Sequence, residues 1–401
     1  MRYIRLPASQ KAYLWAPRVL TGPRLAPMSN VLLEIEDGVI ARIDRRPRST
    51  LTPETTGRPD YHIVPDGATL LPCLMDAHVH LGLSGNPAGR RSSDGSPVRE
   101  GRHRLEKLAE HGVGVVRDGG DREEIGLAVA NAQRKENSAP TRIVGTGHAL
   151  RRSGDYGSFL GAEADSYPDL LAAVERLASS GAEQIKVLLS GIVSFEERRT
   201  IVGTGLPMED VRGIAARAHE LGLRVMAHAN GAAVVDAAVR AGVDSIEHGY
   251  FLREHTLREM ARRGTEWVPT MIPVQQSAQR PSAGAHTENE IRVITEICRE
   301  HRNMVNLGAE TGVLLGVGTD AGAPGVTHGK SLIEEMLLYR QSGLTNQQII
   351  QAATWNNACI LGLEHALGTI EIGKEPPFLA VDGNPSSDLR ALQRPLVLFC
   401  R

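Results

Sequence analysis

The chain has 401 residues, a formal net charge of −2 and a hydrophobic content of 41%. That length buries a large core and suits one large domain with a smaller one. The near-neutral charge and 4% aromatic content exclude a nucleic-acid binder, which needs a basic surface and stacking platforms. Cys73, Cys298, Cys359 and Cys400 lie far apart and form no C-x-x-C pair, so neither a disulfide scaffold nor a cysteine zinc site is expected. The N-terminal MRYIRLPASQKAYLWAPRVL has no continuous apolar core, and no apolar run reaches membrane-spanning length. A soluble cytoplasmic protein with no membrane partner is the expectation.

Residues 1–65 carry short β-type runs, KAYLWAPRVL, NVLLEIEDGVIARIDR and YHIVPDGATLL, separated by Pro, Gly and Asp. They read as a small sheet or sandwich, and the EDG within LLEIEDGVIARI reads as a hairpin turn. Residues 66–369 alternate β-branched runs with amphipathic segments. The runs are TLLPCLMDAHVH, GVGVVRDGG, TRIVGTGHAL, EQIKVLLSG, LRVMAHANG, VDSIEHGYF, TEWVPTMIP and GVLLGVGTDAG. Between them REGRHRLEKLAEHG, YPDLLAAVERLASSG, PMEDVRGIAARAHELG and ENEIRVITEICREHRNMVNLGAETG have helical spacing. Gly112, Gly181, Gly222 and Gly308 are expected to end helices in left-handed caps. Residues 370–401 return to the β style in GTIEIGKEPPFLAVDGNP and RPLVLFCR. The fold class expected is α/β: a (β/α)8 TIM barrel over 66–369, with a small β-sandwich domain formed from both chain ends. A doubly wound sheet is the alternative, since counting units does not establish closure.

The ends of the runs carry the chemistry. His78 and His80 alternate at the end of the first, so both project to one side of a strand. Lys186 sits within the fourth, His228 ends the fifth, His248 the sixth and Asp320 the eighth. In a parallel barrel these ends share one rim, where such barrels place their sites. Taken singly, each has a plain reading: a solvated histidine, a capping aspartate, a lysine whose stem snorkels to the surface. Their coincidence on five strand ends favours a metal centre. Imidazole and carboxylate suit Zn²⁺ and related divalent ions. A lysine ammonium among them would repel a cation, whereas carbamylation of Lys186 by CO₂ would make it an anion able to bridge two metals. The expected site is therefore binuclear, with a hydroxide formed between the ions at neutral pH. Asp320 acts as general base and then general acid, and His248 joins it as a catalytic candidate.

LMDAHVH, IKVLLSG, VMAHANG, SIEHGYF and VGTDAGAP resemble the metal-dependent amidohydrolase superfamily, and the ending AATWNNACILGLEHALGTIEIGKEPPFLAVDGNP is similar to that superfamily's last helix and β domain. The resemblance implies that His78, His80, Lys186, His228, His248 and Asp320 form the metal site. Within the superfamily the chain resembles the group around imidazolonepropionase and the Xaa-Pro and Xaa-Arg/Lys dipeptidases. Lys186 argues against imidazolonepropionase itself and against the single-metal deaminases.

Several loop residues are candidate substrate contacts. His148 could steady an oxyanion or support a ligand. Arg151 or Arg152 could grip a carboxylate, and Tyr156, Tyr250 and His328 could line the pocket. Asn230 stands where dipeptidase relatives can carry a tyrosine. The loop SGNPAGRRSSDGSP and the segment IVSFEERRTIVGTGLP are both long enough to cover the mouth. The expected function is hydrolysis of a small amide, a dipeptide or N-acyl amino acid, with a small molecule as partner and a homo-oligomer compatible with the sequence. Lactone, ester, organophosphate or cyclic amide hydrolysis by the same metals is the enzymatic alternative. A metal-bearing scaffold without turnover is the non-enzymatic one, and the intact set including Asp320 speaks against it.

Overall fold

A computed structural model describes residues 1–7, 10–85, 96–136, 139–278 and 286–401. The β-branched runs of the middle of the chain pair in parallel, each with the next. Leu74–Val79 pairs with Val113–Asp118, which pairs with Arg142–Val144. The third run continues to Leu150, which bridges Val187 in Gln184–Leu188. That strand pairs with Arg224–Ala229, then Ser245–His248, then Glu266–Val268. Trp267 bridges Leu315, and Ala321 bridges Val79, which returns the succession to its first strand. Val, Ile, Leu and Ala from these strands and from the amphipathic helices between them form one apolar core.

The chain ends meet in a second, eight-stranded mixed sheet. Its order runs Arg2–Arg5, Pro395–Cys400, Phe378–Val381, Thr69–Pro72, Ala12–Thr21, Ala26–Glu36 and Val39–Arg45, with Tyr61–Ile63 also on Ala12–Thr21. Asp37 and Gly38 both take positive φ, 52° and 79°, as the primed hairpin turn requires, and Glu36 pairs with Val39 as expected. The run TLLPCLMDAHVH is divided: Thr69–Pro72 pairs antiparallel with Phe378–Val381, whereas Leu74–Val79 joins the parallel strands. Cys73, wholly buried, is the hinge between the two sheets.

The expected helices form over Pro97–Glu110, Tyr167–Ser179, Met208–Glu220 and Glu288–Thr311. Gly112, Gly181 and Gly222 have positive φ at their ends. Gly308 instead lies inside the last helix, which runs on to Thr311 and is capped by Gly312 at φ 83°. No helix of the described residues is long and apolar enough to cross a membrane.

Candidate metal centre

The polar residues at the C-terminal ends of the parallel strands converge on the base of a cavity of about 490 Å³. His78, His80, Lys186, His228, His248 and Asp320 all line it. Strand geometry explains the first pair: with alternate residues on one face, the two rings stand 5.3 Å apart. The His248 ring lies 5.1 Å from His78 and 4.5 Å from His228. His248 and Asp320 hold φ of 66° and 57°, a left-handed backbone that costs a residue with a Cβ about 1–3 kcal/mol. That strain is stored where the strands turn their polar ends inward.

Each imidazole is oriented from behind. The Glu247 carboxylate faces His78 Nδ1 at 2.7 Å and Arg117 Nη2 at 2.7 Å. Burial would raise the Glu247 pKa, but Arg117 and then His78 outweigh it and hold it down to about 2. A carboxylate can only accept, so His78 Nδ1 carries the proton and Nε2 presents its lone pair to the cavity. His80 Nδ1 likewise donates to the Gly120 carbonyl at 2.7 Å, leaving Nε2 3.1 Å from Asp320 Oδ1. His248 Nδ1 is bonded to Thr270 Oγ1, which itself donates to the Pro269 carbonyl. His228 Nε2 donates to the Gly191 carbonyl at 3.0 Å. Burial, reinforced by Lys186, lowers the His78 pKa to about 4 and the His228 pKa to about 3, so both rings are neutral ligand forms near pH 7. Burial would likewise raise Asp320, but the His80 hydrogen bond, with His78 and Lys186 alongside, holds it below the usual carboxylate range.

The donor set fits divalent metal ions. Among the described residues His78 Nε2 and Lys186 Nζ are buried without any hydrogen-bond partner, a costly state for polar atoms. His80 Nε2 lies 3.1 Å from Asp320 Oδ1, and against the effect of burial that carboxylate raises the His80 pKa, so a proton, or a metal ion in its place, joins the two. One ligand atom each from His78, His80 and Asp320 lies within 4.8 Å of the others. Lys186 is 1% exposed, and burial drives its pKa down to about 8. That raises the share of neutral amine, the form that reacts with CO₂.

The expected substrate contacts divide. Tyr156 lines the cavity, stacked on His228 at 5.3 Å. Tyr250 and Asn230 also line it, and the Tyr250 ring stacks on His301 at 3.9 Å. The remaining candidates turn to the protein. His148 stands between Glu124 and Arg176, with Nε2 3.2 Å from Arg176 Nη2. Arg151 bonds Asp155, Glu163 and the Tyr156 carbonyl, and Arg152 bonds Asp210 at 2.7 Å. His328 bonds the His80 carbonyl at 3.2 Å. The segment after Lys186 folds as an antiparallel hairpin, Ile192–Val193 on Ile201–Val202, and Ile192, Val193 and Phe195 line the cavity. Ser84 and Gly85 line it too, whereas residues 86–95 of the first loop lie outside the described residues.

Sequence reasoning passed over the support beneath the ligands. Arg117, 1% exposed, donates to Ala77 O at 2.6 Å, Gln184 Oε1 at 3.2 Å, Ser245 Oγ at 3.0 Å and Glu247. It thereby ties the first, second, fourth and sixth parallel strands together. Asp76 accepts from the backbone N–H groups of His78 and Thr319 and from Thr319 Oγ1. The signal was present: a charged residue inside an apolar strand, the argument already applied to Lys186.

Histidines, a buried lysine and a carboxylate gathered at the ends of parallel strands in an α/β fold mark the metal-dependent hydrolases. The chain belongs to the amidohydrolase family, whose model matches residues 69–398. Membership makes it a hydrolase acting on carbon–nitrogen bonds, and metal binding is typical of the family. An uncharacterised protein of Mycobacterium tuberculosis is 28% identical over 74% of this chain and 75% of its own. Ochratoxinase of Aspergillus niger is 26% identical over 92% of this chain and 81% of its own. A crystal structure of a Xaa-Pro dipeptidase with bound methionine in the active site superposes with a TM-score of 0.84, covering 98% of both chains at 24% identity. The resemblance to the amidohydrolases with dipeptidase-like relatives is thus borne out.

Proposed function

We propose that the chain is a binuclear metal-dependent amidohydrolase cleaving a small amide, a dipeptide or an N-acyl amino acid. The observation that carries this reading is the pair of buried atoms, His78 Nε2 and Lys186 Nζ, without a hydrogen-bond partner among the described residues, beside the close His80–Asp320 pair at the base of an open cavity. His78, His80 and Asp320 would hold one divalent ion and His228 and His248 the second, with Lys186 as a carbamate between them. The nitrogen and oxygen donors favour zinc. When bound, the ions supply Lewis acidity and a water that ionises near neutral pH.

The rest is the work of the chain's own residues. Asp320, ionised at neutral pH, takes the proton of the attacking water and delivers it to the leaving nitrogen. Tyr156 stands over His228, and no described residue is bonded to its hydroxyl, which is free to donate to the substrate carbonyl oxygen. Tyr250 forms a wall. His148, Arg152 and His328 serve the frame through their protein partners. The parallel succession supports a closed (β/α)8 barrel, and the terminal strands support a separate small β domain. The boundary between them then falls at Cys73 rather than at residue 66, with the C-terminal part beginning near residue 370.

The test is hydrolysis of pooled dipeptides and N-acyl amino acids by zinc-loaded protein of verified metal content, read as released amino acid. Release is expected. A fully metallated protein that releases none would overturn the reading in favour of lactones, cyclic amides or phosphoesters.

A further inference from the structure

Two separate apolar clusters reach the cavity from different loops. In one, Leu83 and Tyr156 pack on Leu160 and Leu188. The rim parts of this cluster come from the loops after the first and third parallel strands. In the other, Val193, Phe195, Tyr250 and Val274 pack together, from the loops after the fourth, sixth and seventh. Leu83, Tyr156, Leu160, Val193, Phe195 and Val274 all line the cavity that holds the metal centre. Phe159 lies edge-on to Tyr156 at 5.9 Å and is 47% exposed, and Ile192 is 49% exposed. Both line the same cavity. Large apolar side chains left open on a concave wall mark a surface that a ligand covers. Among the described lining residues the charged side chains are Lys186 and Asp320, and both belong to the metal centre.

An amide has two substituents, one on the carbonyl carbon and one on the nitrogen. In the trans amide they point away from each other. With the carbonyl carbon at the metal centre, each substituent runs toward a different part of the wall. We propose that this site selects amides carrying a bulky apolar group on both sides of the scissile bond, such as an aromatic acyl group joined to an aromatic or branched amino acid. This rests on the amide-hydrolase reading above and narrows it to a substrate class.

The test compares N-benzoyl-L-phenylalanine with N-succinyl-L-phenylalanine and N-benzoyl-L-glutamate. Two readouts are taken on the full zinc-loaded chain: kcat/KM for the wild type, and Kd by calorimetry for the Asp320→Asn variant. The doubly apolar compound is expected to exceed each of the others by about tenfold or more on both readouts. Phe159→Ala and Phe195→Ala alter side chains at the cavity wall, and each should reduce one of the two ratios to within about threefold. Ratios already within about threefold in the parent protein would overturn the proposal while leaving amide hydrolysis standing. The same holds if both variants leave the ratios unchanged. Selective binding without turnover of any compound would uphold the apolar selection and sink the hydrolase reading. Unselective binding without turnover would sink both.

Discussion

Asp320 shows how much one residue is asked to do. Its backbone N–H donates to the His78 carbonyl at 2.7 Å, which anchors the end of the run GVLLGVGTDAG to the first parallel strand. Its φ of 57° is one that few residues besides Gly, Asn and Asp accept readily. Its carboxylate is only partly buried and is kept ionised by the imidazoles and lysine around it. Asparagine tolerates the same backbone and keeps one oxygen, but it cannot carry the proton. Asp320→Asn should therefore fold, keep most of its zinc through the histidines, and lose about 10²–10⁴-fold in kcat. Retention within tenfold of the parent activity, at equal zinc content, would remove Asp320 from the proton transfer. This scale is where the sequence was most legible. Histidines at strand ends and a lysine in an apolar strand are expensive without a purpose, and each could be named before its neighbours were known. Arg117 and Glu247 are equally improbable inside GVGVVRDGG and VDSIEHGYF. What the sequence could not tell was that they meet, because their contact spans 130 residues and depends on strand order.

At the scale of elements, local pattern identified strands and helices but not where their company changes. TLLPCLMDAHVH carries no charge from Thr69 to Met75, so nothing local marks Cys73 as the point where one sheet gives way to another. The helix from Glu288 to Thr311 makes a similar point. Two glycines, Gly308 and Gly312, compete as its end, and Gly312 takes the left-handed cap. Gly308 is small for a different reason: a Cβ there would lie 3.1 Å from the Trp267 ring. That ring's Nε1 donates to the His248 carbonyl at 3.0 Å, so the helix packs on the support of a candidate ligand. Gly308→Val should overpack this contact and destabilise the fold by about 1–3 kcal/mol. It should also shift Trp267 and weaken zinc retention in dialysis against a chelator. A lowered Tm with unchanged zinc retention would show that Trp267 packs the core without steadying His248.

For the whole molecule, the relevant fact is that the first and last strands are neighbours. Arg2–Arg5 pairs in parallel with Pro395–Cys400, whose other side pairs with Phe378–Val381. The β style of both ends was readable in the sequence, but their pairing was not, since it joins the two extremes of the chain. The last strand is thus interior to its sheet, and Leu398 and Phe399 are buried at 0% and 1% exposure. Exposing two such side chains forfeits about 1.5–3 kcal/mol each, a large share of a typical net stability of about 5–15 kcal/mol. A chain ending at Arg394 would also bare the edge of Phe378–Val381, whose four residues are all buried, and a bared apolar edge invites aggregation. That strand's other neighbour, Thr69–Pro72, leads through Cys73 directly into the strand bearing His78. Damage at the C-terminus therefore has a short covalent route to the candidate metal centre. The truncated chain is expected to lose solubility or, where soluble, to show both a lower Tm and reduced zinc content. A soluble product with a lower Tm but full zinc content would mean that the terminal sheet folds apart from the strands that hold the metals, with Cys73 uncoupling the two.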